Sequence, residues 1–453
     1  MSSQEPEFRR VRPMPLRRGL RWEPGCWPAF TVGVEENRVD ELCRMILSIP
    51  QGGKCECAKL DYGTRSQLWS VDTGDARYVL KVLKAVFPVQ KLENEVATMQ
   101  FIADRTSIPV PEVIAYSAYT ATIGFEWILM TRIPGKDLGR AGIDMSIEQK
   151  SRVVKELASY QRELLQITFP SIGSLMASHY DQDSVSGAPA YSRYDVGPSC
   201  STDYFLLNHL SLNMPRGPFN SVSEWLSTTL DIFIHAQTGI MKRSLSSDNP
   251  GINDLMCQKS VADADVDEDD KDSLYWGYSR GSADEAGYRK TLAQEIQSLI
   301  STILQEERSE NMVLYHHDLN TGNIMVDEAG GITGIIDWEL TLTVPLWQAC
   351  QLPLFLRRRP GDISANGGDE AGPIEQEYWE RLTVGERDFL SREYTEAIKA
   401  SFPEWTTIQK DNVRNRSLVN AVATIGAPDT VPAIARWVKS VKQGQPDSNL
   451  GQL

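Results

Sequence analysis

Residues 315–339, YHHDLNTGNIMVDEAGGITGIIDWE, constrain the fold more than any other stretch of this chain. After Asn323 the sequence reads as a short apolar strand over 324–326, a turn over 327–331 containing two glycines, and a second strand over 332–336. Asp337 follows directly. A hairpin of this length returns the chain beside its own start. Asn323 and Asp337 are therefore expected together at the mouth of the hairpin, with Asp318 in the loop that precedes it.

Three converging oxygen-bearing side chains suit phosphoryl transfer, a reaction in which positioning and charge neutralisation do most of the work. Mg²⁺ is a hard cation that takes oxygen ligands, which Asn323 and Asp337 supply. Asp318 is expected to orient an acceptor hydroxyl and take its proton; a carboxylate, ionised at neutral pH, is a ready acceptor. His316 completes an H-x-D-x-x-x-x-N pattern and is assigned to the catalytic set, bracing the loop by hydrogen bonding rather than reacting. Trp338 is expected to be a packing anchor. Glu339 either steers a cationic acceptor or faces water.

The region around 52–134 reads as strands (67–71, 78–83, 128–130) with one helix over 91–104, stopped by Pro109 and Pro111. Beyond Pro134 the pattern turns helical, over 146–166 with Ser146 as N-cap, 288–307, 381–402 and 430–441. A small strand-rich half followed by a large helical half implies a cleft between them.

HHDLNTGNIMV and GIIDWE resemble the aminoglycoside phosphotransferase and choline kinase-like family, which shares the protein-kinase fold; His317 stands where that family usually has Gly. PVPEVIAY, ILMTRIPGKDL, LASYQRELLQITFPSIGSL and GPFNS are similar to its fungal branch. The resemblance implies an α+β, two-lobed protein-kinase-like fold. Its parts would be a basic arm over 1–35, an N-lobe over 36–134, a C-lobe over 135–440 and a flexible tail over 441–453. It implies ATP as donor and Mg²⁺ as cofactor. It also implies a strand lysine on the phosphates, best matched by Lys81, and a helix glutamate orienting it, best matched by Glu95; Lys84 and Glu93 compete for these roles. Lys84 falls on the opposite strand face from Lys81. The phosphate loop would be 62–67, with Gly63 and Ser66 approaching the phosphates. The hinge would be 130–133, where the Thr131 carbonyl and the Ile133 amide face adenine.

The balance of 46 Lys+Arg against 61 Asp+Glu gives a net charge of −15, which disfavours a nucleic-acid partner. No apolar run reaches the roughly 18–20 residues of a membrane span. Prolines and acids in the arm argue against a mitochondrial presequence, and the expected location is cytoplasmic. Seven scattered cysteines are no disulfide framework; the CxC of Cys55 and Cys57 shows no further ligands at useful spacing and reads as reduced thiols. Seven acids between Asp263 and Asp272 mark a disordered insertion at about 260–285.

The reading is therefore a small-molecule kinase acting on an unidentified acceptor. Its pocket is expected between Ser171 and Glu307, where Tyr204, Trp225, Trp276 and Tyr278 could form walls. A non-catalytic nucleotide-binding scaffold on the same fold is the alternative. A protein kinase is disfavoured, because no Arg precedes Asp318, no A-P-E segment follows Asp337, and apolar sequence resumes by Leu340.

Overall fold

The structure, a computed structural model, describes residues 20–21, 29–30, 34–62, 66–84, 86–118, 123–178, 194–205, 209–245, 283–304, 311–357, 382–445 and 450. Gly63, Trp276, Tyr278 and the acidic stretch lie outside them, as does most of the basic arm.

Two short strands, β1 (Leu20–Arg21) and β2 (Ala29–Phe30), pair with each other ahead of helix α1 (Glu36–Ile46). An antiparallel sheet follows, built from β3 (Glu56–Tyr62), β4 (Ser66–Asp72), β5 (Arg77–Leu83), β6 (Val113–Ser117) and β7 (Glu126–Thr131), in spatial order β3-β4-β5-β7-β6. Helix α2 (Gln90–Arg105) lies in sequence between β5 and β6.

Alternation along the strands divides this sheet between two cores. Leu80, Val82, Trp127 and Leu129 pack with Val39, Leu42 and Cys43 of α1. Leu83, Ile128 and Met130 pack on the other face with Leu92, Val96 and Met99 of α2. Full burial of each such side chain contributes about 1.5–3 kcal/mol. The same alternation turns Lys81, between Leu80 and Val82, toward α2. Val89 begins that helix at φ +67°, a left-handed conformation uncommon for a β-branched residue, and its N–H donates to Glu126 Oε1 at 2.6 Å.

The sheet gives way to the helical lobe at Pro134-Gly135. Gly135 has φ +103°, and a Cβ there would sit 2.2 Å from the Val326 carbonyl oxygen. Glycine is required because the next strand, β8 (Lys136–Asp137), runs against the central hairpin, β13 (Ile324–Val326) and β14 (Ile332–Ile335). Helix α3 (Leu138–Ala141) leads to α4 (Ile147–Leu165), which Ser146 and Gln149 close with a reciprocal capping box. Strands β9 (Thr168–Phe169), β12 (Met312–Tyr315) and β15 (Leu342–Pro345) form one small sheet, and β10 (Ser174–Ala177) pairs with β11 (Tyr194–Gly197). After the short α7 (Leu346–Ala349), α8 (Val384–Ser401) packs on α4. A third core joins α5 (Val222–Leu245) and α6 (Ala283–Ile303) with α10 (Val413–Thr424) and α11 (Val431–Lys442), while α9 (Trp405–Asp411) buries Trp405 in the core that α2 shares with the sheet.

The expected α+β arrangement of a strand-rich lobe and a helical lobe is what forms. Helix α5 was not anticipated, because its TTLDIFI segment is rich in β-branched residues and carries no clear polar face. Tyr204, expected as a pocket wall, is fully buried in the core around α5 and α6, its hydroxyl against Thr229; Trp225 packs onto the same core. Leu450, in the segment expected to be a flexible tail, is 4% exposed, and its N–H donates to Ser417 Oγ.

Two outcomes test these local arguments. Gly135→Ala should lower unfolding free energy by about 1–3 kcal/mol in urea titration, the usual cost of an imposed backbone strain. Burial pushes the Glu126 carboxyl up to about 7 from its ordinary 4.5, with the Val89 N–H opposing. The folded state thus binds the proton more tightly than the unfolded one, and stability is lost as pH rises from about 4.5 to 7. Glu126→Gln keeps an acceptor for Val89 but cannot ionise. It should gain on the order of 2 kcal/mol over wild type between pH 5 and pH 8.

Candidate functional site

The site assembles around one buried ammonium. Lys81 Nζ lies 2.8 Å from Glu95 Oε1 of α2, 2.9 Å from Asp337 Oδ1 and 3.1 Å from Glu339 Oε2. Burial pulls the Lys81 ammonium down, but Asp337, Glu339 and Glu95 together outweigh it and hold the group well above its ordinary value. Burial pushes Glu95 up, with Lys81 opposing. The expected pairing of Lys81 with Glu95 is present, and Lys84 and Glu93 are not part of it.

Glu339 corrects the sequence reading. It does not face water: its side chain is 1% exposed and sits between Lys81 and Lys91, 2.6 Å from Lys91 Nζ, at the wall of the cleft. Lys91 was missed altogether. The signal was available, since Lys91 lies four residues before Glu95 and so shares its helix face.

The hairpin places the remaining residues. The Ile336 N–H donates to the Asn323 carbonyl at 2.9 Å, which closes the hairpin mouth and sets Asp337 just beyond it. Asp337 itself has φ +61°, an uncommon conformation for a non-glycine residue. Among the described residues its second carboxylate oxygen has no hydrogen-bond partner, and its side chain is 30% exposed. The Asn323 side-chain amide donates to the Asp318 carbonyl at 2.7 Å, leaving its amide oxygen as a potential ligand. Asn320, also missed, donates to Asp318 Oδ1 at 2.9 Å while its own oxygen accepts from the Gly322 N–H.

His316 acts as a brace. Its Nδ1 accepts from the Asp318 N–H at 3.2 Å, so the proton resides on Nε2, which donates to the Ile336 carbonyl at 3.1 Å. Burial lowers its pKa, with the Ile336 bond opposing, and favours this neutral form. Its ring packs 4.4 Å from Trp338, which is 1% exposed and bonded to the Ile335 carbonyl. His317 adopts no positive φ, so the missing glycine imposes no strain there.

A cleft of about 390 Å³ opens between the lobes, and Lys81, Glu95, Asp318, Asn323 and Asp337 all line it. Ser66 lines it from the start of β4, Thr131 from the end of β7 and Ile133 from the segment just beyond that strand. The Thr131 N–H is used by the Glu112 carbonyl, and among the described residues no hydrogen bond is made by the Ile133 N–H. The cluster of Lys81 and Lys91 with Glu95, Asp337 and Glu339 carries one negative charge in excess, and Asp318 adds another. That surplus, with the open oxygens of Asn323 and Asp337, fits a divalent cation in the cleft. The Glu95, Asp337 and Glu339 oxygens that approach one another do so around Lys81, whose ammonium already fills the space between them.

A family profile described as "Phosphotransferase enzyme family" matches residues 56–218 and 261–348, more than half of the chain. Among curated proteins, a subtelomeric hrmA-associated cluster protein of Aspergillus fumigatus is 30% identical over 126 residues, covering 28% of this chain and 25% of the relative. Clavilactone A biosynthesis cluster protein Y of Ampulloclitocybe clavipes is 23% identical over 277 residues, covering 60% and 55%. The matched parts thus span from a quarter to about half the length of these relatives. A crystal structure of aminoglycoside phosphotransferase APH(4)-Ia aligns over 91% of this chain and 98% of its own, at 14% identity and a TM-score of 0.40.

Glu339→Gln should destabilise the fold by about 3 kcal/mol, because it strips the buried Lys91 ammonium of its carboxylate. Denaturant unfolding at neutral pH measures the loss. A change within about 0.5 kcal/mol would mean that the ion pair carries little weight.

Proposed function

Since the chain belongs to the phosphotransferase enzyme family, we propose that it transfers the γ-phosphoryl group of ATP, with Mg²⁺, to a hydroxyl of a small molecule. The observation that carries this reading is the Lys81 ammonium held at the cleft by Glu95 and Asp337, with Asp318 and Asn323 lining the same cleft.

In this reading each group has a defined task. Lys81, fixed by Glu95, presents a localised positive charge to the nucleotide phosphates from the floor of the cleft. Ser66 adds a hydroxyl from β4, and the Thr131 carbonyl and Ile133 N–H offer an acceptor and a donor to the adenine edge. Asn323 and Asp337 would hold Mg²⁺, which when bound offsets phosphate charge. Asp318 accepts the proton of the attacking hydroxyl. Asn320 fixes one of its oxygens, and His316 fixes its backbone.

The path after Asp337 supports a small acceptor. Only Trp338, Glu339, Leu340 and Thr341 separate Asp337 from β15, which is buried and paired with β12. That span leaves no length for the activation segment with which protein kinases bind peptides.

Asp318→Asn should lower kcat by about 10²–10⁴-fold while Mg·ATP binding stays near wild type. Asp337→Ala should abolish Mg²⁺-dependent ATP binding, read by calorimetry. Turnover is read as a mass gain of one phosphoryl group across a panel of hydroxyl-bearing metabolites. Normal phosphorylation by Asp337→Ala, or a wild-type protein that does not bind Mg·ATP, would overturn the assignment.

A further inference from the structure

Away from the cleft, α1 and the start of β3 bring together a second set of ligand atoms. A carboxylate oxygen of Asp40 and the sulfurs of Cys55 and Cys57 all lie within 4.8 Å of one another. Cys57 is in thiol contact with both Cys55 and Cys43, and Cys55 contacts the Asp40 carboxylate. The arrangement follows from two local periods. Asp40 and Cys43 are three apart on α1 and share a helix face, while Cys55 and Cys57 are two apart on an extended segment and share its face. Asp40 thus joins the CxC only once the helix packs on the strand, which also sets Cys43 against Cys57. This is why sequence alone left the CxC without further ligands.

We propose that Asp40, Cys43, Cys55 and Cys57 form a site for a thiophilic divalent cation, of which zinc is the chemical type. Thiolates select zinc over the hard Mg²⁺ expected in the cleft, and three thiolates with one carboxylate make a closed tetrahedral set. Zinc bonds of about 2.0–2.3 Å place neighbouring ligand atoms a little under 4 Å apart, so Asp40, Cys55 and Cys57 need only small side-chain movements to contract from within 4.8 Å, and Cys43 would complete the set by turning in from its contact with Cys57. Cys43 and Cys55 are buried and Cys57 is half-buried, which shields the set from water. Arg44 donates to Asp40 Oδ2 at 2.7 Å and to the Gly53 and Cys55 carbonyls, fixing both the carboxylate and the strand that carries the thiols.

Binding replaces three S–H bonds with three metal–sulfur bonds and releases three protons to solvent. Four ligand charges are then met by the divalent ion and the Arg44 guanidinium, leaving a single negative charge at the rim of the lobe. Burial pushes the free Cys55 thiol up to about 12, with contacts to Cys57 and Asp40 adding to it. A reactive or redox role fits this poorly, whereas a metal ion ionises buried thiols outright. The ion would pin α1 to β3, the edge strand whose Leu60 lines the cleft.

The test uses the full chain. Elemental analysis of protein purified without chelators should find about one zinc per chain. Chelator-stripped protein titrated with Co²⁺ should develop thiolate-to-cobalt charge transfer and the intense visible bands of a tetrahedral site. Both signals should persist in Asp337→Ala, which separates this site from the cleft. The Cys55→Ser, Cys57→Ser double variant should lose them, and Asp40→Asn, which keeps every thiol, should bind at least tenfold more weakly. Three outcomes overturn the proposal: wild type showing no tetrahedral cobalt signature, the double variant binding as wild type does, or a Cys55–Cys57 disulfide in protein purified without air.

Discussion

A lysine ammonium placed out of water is tolerable only if opposite charges surround it, and that requirement organises this molecule. Lys81 comes from the sheet, Glu95 from α2, and Asp337 and Glu339 from the segment after the central hairpin. An isolated charge so buried would cost many kcal/mol. The two lobes must therefore meet in one register for the charges to find one another. Lys91 extends the constraint, because Glu339 binds both ammoniums and so ties α2 to the end of the hairpin. The network still carries more negative than positive charge. A polyphosphate could not enter it favourably alone, which links nucleotide binding to a divalent cation on electrostatic grounds.

The hairpin supplies the second constraint. Its two strands pair directly, β8 closes one edge, and Gly135 lets the crossing chain approach the Val326 carbonyl. Rigid backbone thus stands behind every polar group at the mouth. Asp337 pays for its place with a left-handed φ, and Asp318 is held through its own N–H by His316 and through its carboxylate by Asn320. Side chains fixed in this way need little reorganisation when a reacting group arrives.

Much of this was legible in the chain because the decisive contacts are local or periodic. Asn323 and Asp337 are joined by a hairpin whose strands and turn are written in sequence, and the family resemblance pointed to Lys81 on a strand and Glu95 on the helix that follows it. What was not legible depends on distant packing. Glu339 looks like any acid after a tryptophan until α2 is laid against it. Tyr204 has a polar hydroxyl and a place in a variable region, yet α5 and Thr229 enclose it. Cys43 and Asp40 meet the CxC only across the contact between α1 and β3. Helix α5 itself is hidden because burial on several sides erases the polar stripe by which amphipathic helices are recognised.

The proposed chemistry requires the Lys81 ammonium to face the phosphates of a bound nucleotide. An acyl-phosphate derivative of ATP delivers an acyl group to whichever lysine lies against the phosphates, and peptide mass mapping identifies that lysine. Acylation is expected at Lys81, suppressed by excess Mg·ATP and absent from Asp337→Ala. Labelling spread over surface lysines with Lys81 untouched, or labelling of Lys81 that Mg·ATP does not suppress, would contradict it.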